Sequence, residues 1–137
     1  MTSRSDFTPS RSGVYRRAAD LDALRATARA AGAAWLDADL SPVRGKAQLL
    51  RVFAGALGFP KTFGHNWDAL ADSLEDLSWC PASAYVLDVR ASDSTRRALG
   101  DDWRTLLEIL AEAASYWASR GKAFVAFVED GDAAAWK

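Results

Sequence analysis

The chain has one cysteine and one histidine in 137 residues. A lone Cys80 closes no internal disulfide, which fits a reducing compartment. One cysteine and one histidine also exclude zinc centres built mainly on those ligands. No apolar run approaches the roughly 18 residues of a membrane span. The N-terminus, Met1 to Ser10, is polar and lacks the apolar core of a secretory signal. A cytoplasmic location, away from membranes, is the default expectation. Catalytic signatures are missing as well. There is no G-x-S-x-G turn, no phosphate-binding loop and no dinucleotide fingerprint. A Ser-His-acid triad would have to use His65, and no serine is placed to serve it. The formal net charge is −1, so nothing global draws the chain to nucleic acid or to a lipid surface.

One absence is local. Between Lys61 and Arg90 there is no lysine and no arginine, although the rest of the chain is rich in arginine. The gap contains Asp68, Asp72, Glu75, Asp76 and Asp88. Any electrostatic function therefore lies in the distribution of charge, and this segment concentrates negative charge.

Half of the residues are apolar and 26% are charged, which is the balance of one globular domain. Residues 1–12 read as a disordered tail and 13–137 as a single domain. Gly13 to Arg16 reads as a short edge strand. Residues 18–31 predict a helix, capped by Asp20 and ended by a left-handed Gly32. Trp35 to Leu40 alternates as a half-buried strand does. Residues 46–57 place Leu49, Leu50, Phe53 and Leu57 at helical spacing, and Gly58 closes that helix. Asn66 is a good cap for the next helix, with Asp68 in its first turn. Ala84 to Val89 and Ala123 to Val128 are continuous apolar runs, as in strands covered on both faces. Residues 101–120 carry the longest helical stripe. The tail from Glu129 reads as frayed, apart from Trp136. Helical crossovers of this length join parallel strands. The expectation is an α/β fold with a small three-stranded parallel sheet packed by helices, and an extra N-terminal strand and helix.

The segment Phe59 to Asp72 reads as a loop feeding a helix. On that helix Trp67, Leu70, Leu74 and Leu77 fall on one side, and Asp68, Asp72, Glu75 and Asp76 on nearly the opposite one. Like charges at helical spacing cost about 0.2–0.5 kcal/mol per pair, and no basic residue nearby in sequence relieves them. Such a face is either ordinary solvated surface or an anionic patch kept unpaired for a cationic partner. Gly64 implies a backbone conformation that other residues avoid, and Phe63 is expected to pack inward. His65 is either an exposed loop residue or a contact. A third reading gathers His65, Asp68 and Asp72 into a divalent-metal site, in a binding module or an enzyme. Trp67 belongs to the inward stripe. Trp79 serves equally as rim or core, and Cys80 as a small half-buried thiol.

The stretch Leu57-Gly58-Phe59-Pro60-Lys61-Thr62-Phe63-Gly64-His65-Asn66-Trp67-Asp68-Ala69-Leu70-Ala71-Asp72-Ser73-Leu74 resembles the barstar family of ribonuclease inhibitors. The shared core is aromatic-Gly-x-Asn-x-Asp-Ala-Leu, with an aspartate two residues further on. The order of elements from about 33 to 128 is similar too, whereas residues 1–32 have no counterpart in the shortest family members. The resemblance implies a cofactor-free inhibitor, not an enzyme, that binds one small basic ribonuclease or related toxin. An acidic face with no apolar patch beside it suits a monomer when free. The resemblance also implies that the loop and the second helix enter the target's active site, with Asp68 and Asp72 in the place of RNA phosphates. Asn66 and Gly64 would be loop contacts, flanked by Thr62, His65, Glu75 and Asp76. The chain departs from the pattern in three places. Well-known inhibitors carry tyrosine where Thr62 stands and tryptophan where Ala71 stands. They also use an acid late in the long helix, where this chain offers Tyr116 or Arg120. These departures leave room for a regulator of the same fold that holds a basic partner other than a nuclease.

Overall fold

The computed structural model describes residues 7–17 and 21–136. The expected cap at Asp20 and the first half of the expected tail lie outside the described residues. A 3-10 turn, Pro9–Arg11, leads into strand β1 (Gly13–Arg16) and helix α1 (Leu21–Ala30). Strand β2 (Ala34–Asp39) is followed by helices α2 (Lys46–Leu57) and α3 (Trp67–Leu74). Strand β3 (Ala84–Arg90), helices α4 (Asp93–Leu99) and α5 (Asp101–Ser119), strand β4 (Ala123–Val128) and a two-residue β5 (Ala134–Ala135) complete the order.

The strands form one sheet in the order β2-β3-β4-β1-β5. Every pairing is parallel, with Leu36 opposite Leu87 and Asp88 opposite Phe127. The chain steps from β1 across to β2 in one direction, then returns through β3 to β4. Right-handed crossovers place helices on opposite faces when the direction reverses. The first face, with Tyr85, Leu87, Val89, Phe124, Ala126 and Val128, packs against α2, α3 and α5. The second face, with Val86, Val125 and Phe127, meets Leu21 and Ala28 of α1 and also Phe7.

This is the expected α/β class with a parallel sheet, but the sheet has five strands and not three. The N-terminal strand is not an edge either, because β5 pairs along its outer side. Periodicity could not reveal β5, since two alanines carry no pattern. Residues 7–12 do not form a loose tail. Phe7 is only 5% exposed, and it stacks on Trp136 with ring centroids 5.4 Å apart. Residues beyond Glu129 are likewise tied down through β5 and that tryptophan. Helix α4 was not anticipated; Ser92 caps it by accepting from the Thr95 amide at 3.2 Å.

Local chemistry explains the element ends. Gly58 takes a left-handed φ of 68° after α2, and Gly121 takes 79° after α5. Both angles favour glycine, which has no Cβ to clash. Phe53 has no exposed surface at the centre of the first core. Phe53→Ala is expected to destabilise the fold by about 3–5 kcal/mol through lost burial and a residual cavity. Urea denaturation measures the change.

Candidate functional site: an acidic loop and helix face

The loop after α2 is pinned from beneath. Phe63 is 8% exposed and lies 4.9 Å from the Phe59 ring, and its amide donates to the Pro60 carbonyl at 2.9 Å. His65 holds a left-handed φ of 52°. Its Nδ1 lies 3.0 Å from the Phe63 carbonyl oxygen, so the ring is turned back along the loop. Gly64 does not have the positive φ expected of it. A side chain there would instead meet Asn66 Nδ2 at 3.3 Å, so a close approach favours glycine.

Asn66 joins loop to helix. Its Oδ1 accepts from the Ala69 amide at 2.7 Å, and its Nδ2 donates to the Gly64 carbonyl at 3.3 Å. One side chain thereby caps α3 and fixes the loop in front of it. Leu70 and Leu74 have no exposed surface on the inner side of α3. Trp117 of α5 donates its indole N–H to the Leu74 carbonyl at 2.8 Å, which anchors the other end. Trp67 is half-buried against the first core, and Lys46 lies 6.0 Å from its ring centroid.

Helix α3 ends sooner than its acidic spacing implied. Glu75 is its C-cap residue, and Asp76 lies beyond it. Leu77 adopts a left-handed φ of 50°, which returns its side chain to full burial. The four acids therefore do not share one helical face. Asp68 and Asp72 are exposed on α3, Asp76 is exposed on the turn after it, and Glu75 is half-buried. Among the described residues none of the four joins an ion pair. Thr62, Gly64, Ala69, Asp72, Ser73, Asp76 and Trp79 surround a cleft of about 240 Å³ between loop and helix. Thr62, Gly64, Asp72 and Asp76 are thus brought together. Asp68 stands apart on the first turn, and His65 and Asn66 serve the scaffold.

Helix α5 contributes a charge that sequence spacing did not reveal. Burial raises the Glu75 carboxyl above its ordinary value, and repulsion from Glu112 and Asp72 adds to the effect, against a weaker attraction from Arg120. Glu112 lies one turn before Tyr116, the position considered for an accessory charge. Tyr116 itself is covered by Arg120, whose guanidinium carbon lies 3.8 Å from the ring centroid. Only the packing of α3 on α5 brings Glu112 to the site. Trp79 forms a wall, half-buried, with its indole N–H bonded to the Leu57 carbonyl at 3.0 Å.

The metal reading fails on geometry. Among the described residues no three His, Cys, Asp or Glu side chains are placed to hold one ion. No described helix is long and apolar enough to cross a membrane.

Residues 33–129 match the family model described as Barstar (barnase inhibitor). That span covers more than two thirds of the chain, from just before β2 to just after β4, and the chain belongs to the barstar family. No curated protein matches it.

Two outcomes test this architecture. Asn66→Ala removes the cap and is expected to cost about 1 kcal/mol in chemical denaturation. Glu75→Gln tests the crowded carboxyl through the pH dependence of the thermal midpoint. The folded state raises the Glu75 pKa, so the penalty is absent below the ordinary value of 4.5 and complete above the raised one. The variant is expected to melt higher than wild type at neutral pH and to converge with it in acid.

Proposed function

We propose that this protein is an intracellular inhibitor that binds one basic ribonuclease, or a related toxin, through the cleft between the loop and α3. The observation that carries this reading is the pair Asp72 and Asp76, exposed on the rim of a concave site and without ion-pair partners among the described residues. Family membership supports the class of partner, since the family description is of a barnase inhibitor. A cationic side chain of the target enters the cleft and meets both carboxylates, and Asp68 guides approach from the first turn. Asn66 and Gly64 present the loop, with Thr62 and His65 at its margin and Glu75 backing the site from the α5 side. No group in this arrangement needs a cofactor, and inhibition is by occupation of the target's active site, not by catalysis. The free protein is a monomer in this reading.

The small residues at 62 and 71 bear on the choice of target. Thr62 borders the cleft where a larger aromatic would fill it. Ala71 is half-buried against the first core and offers no aromatic anchor to a partner. Affinity then rests more on charge and cleft shape than on stacked rings.

A pull-down from host extract with wild type and with Asp68→Lys/Asp72→Lys tests the reading. A basic ribonuclease captured only by wild type, and inhibited by it, supports the assignment. Capture by both variants would place the interface elsewhere. Capture of a basic protein that does not cleave RNA would replace the ribonuclease with another target at the same site. With the purified target, Asp72→Lys is expected to lose about 3 kcal/mol or more, over a hundredfold in Kd, and Asp68→Lys less. Raising the salt concentration is expected to slow association more than it changes dissociation, as read by stopped flow.

A further inference from the structure

The family match begins at residue 33, and the segment before it is built into the protein by a buried charge. Asp88 lies on β3 inside the matched region and is 3% exposed. Its counter-charge comes from outside that region. Arg17, just past β1, donates through Nε at 2.6 Å and through Nη2 at 3.0 Å to the two oxygens of Asp88. Glu129 stands behind the pair, 3.8 Å from Arg17, and accepts from the Ala91 amide at 2.6 Å. Asp37, opposite Asp88 in the register, is held separately by Arg25 at 3.2 Å. Arg17 is therefore the one cation bound to Asp88 among the described residues.

The chain around Arg17 is fastened along its length. Ser12 Oγ accepts from the Phe124 amide at 3.0 Å, β1 pairs with β4, and the Arg17 amide donates to the Val128 carbonyl at 2.9 Å. At the far end Phe7 meets Trp136. Trp136 stacks on Phe7, lies edge-on to Tyr15 at 4.9 Å, and carries the Arg11 guanidinium 3.6 Å from its ring centroid. Beneath this cluster lie Val125 and Phe127, with no exposed surface.

We infer that residues 7–17 form a strap, locked by Arg17 onto Asp88 and clasped by Trp136, on which the native state of the barstar-like core depends. Breaking a buried pair from one side leaves an uncompensated charge, which is far more harmful than losing both partners together. Release of the strap also uncovers the second apolar face of the sheet. Strand β1 of the strap lies within the sheet, and Val14 packs on the first core, yet no residue of the strap lines the acidic cleft.

The 137-residue chain tests this with Arg17→Met, Asp88→Leu, the double variant and the exposed control Arg97→Met. The readouts are the thermal midpoint and the rate of chymotryptic cleavage at Phe7 and Tyr15. Arg17→Met is expected to melt several degrees lower and to be cleaved at least tenfold faster, while Arg97→Met matches wild type. The double variant is expected to recover most of both losses, because the stranded charge is gone. An Arg17→Met variant as stable and as resistant as the control would overturn the inference. So would a double variant no better than Arg17→Met. If Arg17→Met does not fold, the double variant still decides, since its return to a cooperative transition supports the lock and its failure refutes it.

Discussion

Leu70 and Leu74 have no exposed surface, while Asp68 and Asp72 on the same two turns of α3 have no counter-ion among the described residues. The first fact makes the second sustainable. Each unrelieved carboxylate pair costs a few tenths of a kcal/mol, whereas each buried leucine contributes about 1.5–3 kcal/mol. The apolar side of α3 therefore outweighs the strain of its acidic side. The Asn66 cap and the Trp117 bond to the Leu74 carbonyl fix the two ends. A helix of only eight residues would not hold this geometry alone. Its rigidity is borrowed from α5 and the sheet. A preorganised anionic surface of this kind loses little freedom when a cation arrives.

The two sides of the sheet divide the work. The first face supports α2, α3 and α5, and through them the cleft. The second face does nothing for the cleft directly, yet it would be exposed without α1, Phe7 and Trp136. A parallel sheet needs both faces covered. The segment before residue 33 supplies that cover, which gives a physical reason for its presence beside the family-matched region. The reversal of direction at β2 is what puts α1 on the face opposite the later helices.

Much of this was legible in the residues. The apolar stripes of α2 and α5 and the continuous runs of β3 and β4 predicted those elements nearly to the residue, because burial on a regular period leaves a strong pattern. The Phe63 to Asp72 motif located the loop and its cap. What escaped had no periodic signal. Strand β5 is two alanines, and α4 is a single cap followed by two turns. The end of α3 escaped for another reason: Leu77 continues the helical spacing while its left-handed backbone leaves the helix. Glu112 could not be assigned to the site, because its approach to Glu75 is a tertiary contact between helices far apart in the chain. Phe7 looked like part of a polar tail, since its partner Trp136 lies at the other end of the chain.

The stretch without lysine or arginine contains both kinds of acid that this fold uses, and burial separates them. Asp88 is buried on the sheet, 3% exposed, where an unpaired charge would be several kcal/mol unfavourable. Its counter-ion is Arg17, 71 residues away, although Arg90 stands two residues further along the same strand. Asp68, Asp72 and Asp76 face water, which screens their repulsion and makes no such demand. Acids of one short stretch therefore meet two fates. In the interior, Asp88 is held by a long-range ion pair that ties the N-terminal segment to the core. On the surface, Asp68, Asp72 and Asp76 have no ion-pair partner among the described residues.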